Sequence, residues 1–270
     1  MKLFEEKAMK AWGLELWEGV DDPDTEVIFF GLFHDRDFEV FHNFKGKKLV
    51  FWCGGDILRL IEDYERQRVI RINPAIHYCE NEIEAENLRK VGIEPVVIPS
   101  FLGSINHYPI SFKMPEGRWK IWMCAHDKRE TEYGVDKARE IAKMFDNVEI
   151  HIYGVDKPTY REDISNVIYH GFVSENKLDE EIKKYHCGLR CNEHDGVSEV
   201  VIKSALLGQY IISRIPYDGV WHYETFGDLA ELVAKLTQQT SPNYEGRTTW
   251  IKKINQYPFN KNKMNFYEEE

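Results

Sequence analysis

The sequence predicts an α/β protein built from two doubly wound parallel sheets that face a cleft. Three observations carry that expectation. Short apolar runs alternate with helical patterns from residue 26 onward, and strands separated by helices are joined by right-handed crossovers into parallel sheets. The alternation stops once, at "SFLGSINHYPISFKMPEGR" (100–118), where prolines, glycines and serines break both periodicities. A second alternating series then follows. With 270 residues there is room for two domains of ordinary size. The expected division is an N-terminal domain over 1–110, a linker over 111–118, a C-terminal domain over 119–240, and a final helix and tail over 241–270.

In the first series "EVIFF" (26–30) reads as a buried strand, followed by Gly31 and a helix within "DRDFEVFHNF" (35–44). "KKLVFWC" (47–53) is the next strand. It ends at Gly54-Gly55, and Asp56 is placed to cap the helix "ILRLIEDYERQ" (57–67). "VIRI" (69–72) follows as the next apolar run, then a charged helix in "NEIEAENLRKVG" (81–92) and the strand "EPVVIP" (94–99). The second series reads strand "WKIWMCA" (119–125), helix "GVDKAREIAKMF" (134–145), and strands "VEIHIYG" (148–154) and "NVIYHGF" (166–172). It continues with helix "SENKLDEEIKKY" (174–185), strand "CGLRC" (187–191), helix "SEVVIKSALLG" (198–208), strand "QYIISR" (209–214) and helix "DLAELVAKL" (228–236). The tail holds one helix, "TTWIKKINQY" (248–257), and an acidic end. Such sheets bind ligands at the carboxyl ends of their strands.

Bulk properties exclude several classes. No window approaches 18 uninterrupted apolar residues, so no transmembrane helix is expected. Acidic residues occupy the place of a signal-peptide core, and five cysteines, an odd number, argue against a disulfide framework. Both point to a reducing, cytoplasmic setting. A net charge of −11 opposes nucleic acid and anionic lipid.

The stretch "HCGLRCNEHDGVSEVVIKSALLG" (186–208) raises a specific question, because His186, Cys187, Cys191 and His194 could be zinc ligands. Alternation along a strand puts Cys187, Leu189 and Cys191 on one face, where buried thiols need no metal. No metal site is therefore expected. In "NEHDGVSEV" an acid, Asp195, precedes Gly196, and Ser198 opens a helix. Glycine permits close backbone approach, and the unsatisfied N–H groups of a helix start favour an anion such as phosphate.

"EHDGVSEVVIKSALLG" and the preceding "NVIYHGFVSENKLDEEIKKYHCGLRC" resemble the donor-binding half of GT-B glycosyltransferases of the family 4 (group 1) kind. The N-terminal "FWCGGDILRL" and "HYCENEIEAENLRKVGIEPVVIPSF" resemble the last strands and helices of that fold's first domain, here short. The resemblance implies two Rossmann-like domains and a retaining transfer of sugar from a nucleotide diphosphate sugar such as a UDP-sugar, needing no cofactor. It implies catalytic roles for His34 and Asp195. It implies donor contacts from Lys128, Arg129, Gly171, Phe172, Val173, Gly196, Val197, Ser198, Glu199 and Lys203. The acceptor would be a glycan, glycolipid or protein. Two positions depart from the family pattern: Lys203 stands where a ribose-binding Glu is usual, and Tyr133 stands where a Lys precedes the helix-opening Gly134. An ammonium cannot accept from ribose hydroxyls. The alternatives are a catalytically decayed binding or scaffold protein on the same fold, or another nucleotide-sugar enzyme such as an epimerase.

Overall fold

The computed structural model describes Met9 and residues 13–19, 23–101, 103–160 and 162–256. They separate into two compact units. One holds the residues up to 104 with 194–197 and the chain from 253; the other holds 105–193 and 198–252. The acidic end falls outside the described residues.

In the N-terminal unit, β1 (Glu26–Phe30), β2 (Lys47–Phe51), β3 (Ile76–Cys79) and β4 (Val96–Val97) form a parallel sheet in the order β1-β2-β3-β4. Its helices are α1 (Asp35–Asn43), α2 (Gly55–Glu62), α3 (Tyr64–Ile72) and α4 (Glu82–Lys90). Strand order follows the sequence without reversal, so right-handed crossovers bring these helices to one face. There Phe38, Phe41, Ile57, Leu60, Ile70, Ala85 and Leu88 pack with Val50, Trp52 and Cys79. Leu49, Phe51, Tyr78 and Ile98 form a second cluster with Leu14 and Ile28.

Two expectations change here. The run "VIRI" is the end of α3: Ile70 is buried while Ile72 is 57% exposed, a helical rather than an alternating pattern. The strand is instead "IHYC", and its His77 accepts from the Trp52 indole at 3.2 Å. Asp56 is not the cap of α2, because Gly54, at φ +88°, holds that place. The Asp56 carboxylate is fully buried and accepts from the backbone N–H groups of Cys53, Ile57 and Leu32, which ties the loops after β1 and β2 together.

In the C-terminal unit, β5 (Trp119–Cys124), β6 (Val148–Tyr153), β7 (Val167–Gly171), β8 (Cys187–Arg190), β9 (Tyr210–Ser213) and β10 (Trp221–His222) are parallel, in the order β10-β9-β8-β5-β6-β7. The helices are α5 (Val135–Met144), α6 (Glu175–Ile182), α7 (Glu199–Leu206), α8 (Phe226–Leu236) and α9 (Tyr244–Asn255). Winding reverses between β5 and β8, the switch point outside which doubly wound sheets bind ligands. One core joins Ile121, Ile150, Cys187, Leu189, Cys191 and Ile212 to α5 and α8.

The expected boundaries, 1–110 and 111–118, move to 104/105. The reason is aromatic anchoring. Phe112 enters the C-terminal core against Trp119, His186 and Tyr210, and the Tyr108 hydroxyl donates to Asp179 at 2.8 Å. The start of the expected tail packs with the same unit: Tyr210 donates to Ser241 O, and Trp250 is buried.

Candidate functional site

The carboxyl ends of β5, β6 and β7 are cross-braced. Ala125 N donates to Tyr153 O and Gly154 N to Gly171 O. Asp127 Oδ1 accepts from Asp156 N at 2.9 Å and Lys157 N at 3.3 Å, and Asp156 Oδ1 accepts from Phe172 N at 2.8 Å. Gly154 and Gly171 both take positive φ, and a Cβ would lie 2.4 Å from Ala125 O at the first and 2.5 Å from Asp156 Oδ1 at the second. The Gly171–Val173 loop is thereby fixed, with the Phe172 ring 80% exposed upon it.

The loop after β5 supplies cations. Lys128 is exposed and, among the described residues, is the non-glycine with positive φ, at 67°. Arg129 donates to Glu132 Oε2 through Nη2 at 2.6 Å and Nε at 2.9 Å, and its guanidinium lies 5.6 Å from the centre of the Tyr133 ring. Arg190, the last residue of β8, lies 5.0 Å from the same ring. A Cβ on Gly134 would sit 2.2 Å from Cys191 Cβ, so α5 can start against the end of β8 only from a glycine.

Residues 194–197 pack with the N-terminal unit. Asn81 Nδ2 donates to Asp195 O at 2.9 Å. The Val197 N–H, expected to face a phosphate, donates to Glu80 Oε2 at 2.8 Å. Glu80 Oε1 accepts from the N–H and hydroxyl of Ser100. A Cβ on Gly196 would fall 1.6 Å from Glu80 Oε2, so here the glycine's close approach serves an internal carboxylate. Desolvation of the Glu80 carboxyl, reinforced by Asp195, pushes it up to about 8, and Glu84 beside it is also raised by burial and by Glu80. Burial likewise lifts Asp56 to about 6.

Ser198 caps α7, its hydroxyl accepting from Val200 N at 3.2 Å, and Glu199 begins the helix. Lys203 is 2% exposed, contrary to a solvated helix face. Its ammonium meets Asp179 at 2.8 Å, Glu199 at 3.0 Å and Glu175 at 3.3 Å, and lies 5.7 Å from the Tyr108 ring centre. Burial alone would push this lysine down, but the fields of Glu199, Tyr108 and Asp179 outweigh it and hold it protonated. It is thus an internal counter-ion.

His34 is exposed at the N-cap of α1, beyond the carboxyl end of β1; its N–H donates to Asp37 Oδ2 at 2.8 Å. Cys187 and Cys191 lie in the C-terminal core. His186 is buried, with Nδ1 accepting from Lys120 N, and His194 is exposed. Sequence reading missed Glu80 and Arg190. Their signals were positional: a charged residue directly after or at the end of a buried strand.

No protein-family model matches the chain, and no curated protein resembles it by sequence. Solved structures do. The pneumococcal O-GlcNAc transferase GtfA in complex with UDP and GlcNAc aligns at TM-score 0.59 and 13% identity, covering 93% of this chain and 56% of that one. Anabaena HepE in complex with UDP and glucose aligns at 0.61 and 10%, covering 81% and 72%. The UDP-forming α,α-trehalose-phosphate synthase of Burkholderia xenovorans aligns at 0.67 and 10%, covering 92% and 74%. The chain spans about half the length of the first of these structures. At these identities the likeness shows the fold. The chain has the GT-B architecture, two Rossmann-like parallel-sheet units, in a divergent form.

Proposed function

We propose that this chain transfers a glycosyl unit from a nucleotide diphosphate sugar to an acceptor, with retention and without a divalent metal. The observation that carries the reading is the braced carboxyl edge of β5, β6 and β7, where fixed loops and an exposed ring stand on the same side of the sheet as the cations of the β5 loop, which borders the switch point. On this reading the Gly171–Val173 loop takes the base, and the solved structures similar to this chain make uridine the first base to test. Lys128 and Arg129 face the diphosphate, whose negative charge grows as the glycosidic bond breaks; fixed cations stabilise that charge without reorganisation. Ser198 and Glu199 border the phosphates and sugar, and the Lys203 carboxylate partners offer the acceptors that a ribose diol requires. His34 and Asp195 are the candidates for catalytic roles. The acceptor is a glycan, glycolipid or protein, since a charge of −11 opposes nucleic acid.

Calorimetric titration with UDP, GDP and ADP, followed by donor hydrolysis with the matching UDP-, GDP- or ADP-glucose, tests the reading. The expected result is binding of one diphosphate and slow hydrolysis that Asp195→Ala reduces without unfolding the protein. Binding of none of them would overturn the reading in favour of a decayed scaffold.

A further inference from the structure

The winding reversal places the ends of β5 and β8 side by side, and the ligand crevice of such a sheet opens outside that pair. Along the sheet, β8 is separated from β7 by β5 and β6. At about 4.8 Å per step the end of β8 lies about 14 Å from the Gly171–Val173 loop that follows β7. A nucleotide whose base sits in that loop therefore reaches β8 with its sugar end. One side chain there is unexplained by the fold. Asn192, two residues past the end of β8, is 9% exposed, and its Oδ1 is buried with no hydrogen-bond partner among the described residues. The backbone that carries it is fixed on both sides of the sheet, since Cys191 is buried in the core and Arg214 N donates to Arg190 O at 2.9 Å. A buried amide oxygen left unpaired costs stability, and native structures keep few such groups without a ligand or water to satisfy them.

We propose that Asn192 recognises the transferred sugar, its amide hydrogen-bonding a hydroxyl of the donor. The assignment rests on the glycosyl-transfer reading and adds to it the side chain that tells a nucleotide sugar from the bare diphosphate. The orphaned atom is an acceptor. The phosphates of a donor offer acceptor oxygens and give it nothing to bond, whereas a sugar hydroxyl donates to it and can also accept from the amide N–H groups. A neutral amide also keeps its hydrogen-bonding capacity whatever charges surround the strand end. Selectivity follows from burial, because a site built to bond a hydroxyl leaves its own polar group unpaired when the hydroxyl is missing. The free chain already carries that cost, and the donor relieves it. Stability and affinity should therefore move in opposite directions. An apolar side chain of the same branching removes the orphan and eases the fold, while it deletes the bond to the sugar. An amide with a purely structural role would give the reverse result for stability and no result for the sugar.

Urea unfolding of the free chain, with calorimetry on UDP, UDP-glucose, UDP-galactose and UDP-GlcNAc, tests this. Where wild type binds GDP or ADP instead, the sugar conjugates of that diphosphate take their place. Asn192→Leu should unfold at or above the wild-type urea midpoint. It should bind the bare diphosphate within about twofold of wild type and lose about tenfold in affinity for the conjugate that wild type binds best, the worth of one hydrogen bond. If Asn192→Leu fails to fold, Asn192→Ala decides by the same pair of affinities. Wild-type affinity for the conjugate in the variant would overturn the assignment, as would equal weakening of the conjugate and the bare diphosphate. Urea midpoints well below wild type in both variants would also overturn it, since the amide would then be satisfied within the free fold. So would a wild type that binds none of the three conjugates better than the bare diphosphate. If wild type binds neither UDP, GDP nor ADP, the glycosyl-transfer reading falls first and this assignment with it; sugar selectivity that ignores Asn192 overturns this assignment alone.

Discussion

Replacing Lys203 with Met removes the ammonium while keeping most of the aliphatic stem. Lys203 is 2% exposed, so its charge is worth more than a surface charge. Its partners differ: Asp179 is 23% exposed at 2.8 Å, whereas Glu175 and Glu199 are 41% and 53% exposed. The Asp179 bond is charge-assisted and contributes about 1.5–3 kcal/mol. The other two pairs are screened and add about 0.2–1 kcal/mol each. Relief of the lysine's own desolvation offsets part of the sum, leaving a loss of about 2–4 kcal/mol. Lys203→Glu should cost more, because it sets a fourth carboxylate among three. Urea unfolding at pH 7 measures both. Lys203→Met within about 0.5 kcal/mol of wild type, the usual range for exposed sites, would show that the network contributes nothing to the fold. A Lys203→Glu variant more stable than Lys203→Met would refute the electrostatic reasoning itself.

Gly196→Ala should destabilise the N-terminal unit by about 1–3 kcal/mol, because its Cβ would meet Glu80 Oε2 at 1.6 Å. In a double-mutant cycle with Glu80→Ala that penalty should largely disappear; additive effects would mean the clash is not the cause. Glu80 also gives a pH signature. Its carboxyl keeps a proton up to about 8 in the folded chain, against about 4.3 when unfolded, so the folded state binds more protons between those values and stability falls as pH rises through them. Glu80→Gln should flatten that fall, by up to about 1.4 kcal/mol per pH unit, and an unchanged slope from pH 5.5 to 8 would refute it. His151 has the opposite sign. Burial pushes it down to about 4 despite its bond to Glu149, so its contribution is present above about 6.5 and lost as pH falls toward 4. Its NMR titration should show a neutral ring at pH 5.5; a midpoint near 6.5 would contradict the enclosed geometry.

Strands β1, β2 and β5 were legible from their apolar runs, and β6 from the alternation of Val148, Ile150 and Ile152 with Glu149 and His151. Strand β3 was hidden because His77 and Tyr78 dilute its apolar character, and their compensation is a bond to Trp52 that lies far away in sequence. The domain boundary was obscured for a related reason. Prolines and glycines around Tyr108 and Phe112 have the composition of a linker, while two aromatic side chains anchor the segment to one unit. Of the site, the glycine turns were readable from residue type and position. What those turns approach was not: Gly196 meets Glu80, 116 residues earlier in the chain. Periodicity says which face a residue occupies and carries no information about what shares that face.

Positions 133 and 203 carry the same point into function. Read along the chain, each departs from the pattern of the glycosyltransferases the sequence resembles: a tyrosine in place of a cation and a lysine in place of an acid. In space each comes with a compensation. The Tyr133 ring lies 5.0 Å from the Arg190 guanidinium, and the Lys203 ammonium lies within 3.3 Å of Asp179, Glu199 and Glu175. Electrostatic work on a ligand depends on distance and screening, not on which residue number bears the charge. Three carboxylates around the Lys203 ammonium keep acidic groups beside this helix although the position itself carries a cation. The charge exchange at 203 is therefore compensated in space within the C-terminal unit, and the residue type at that one position does not by itself argue for a decayed site.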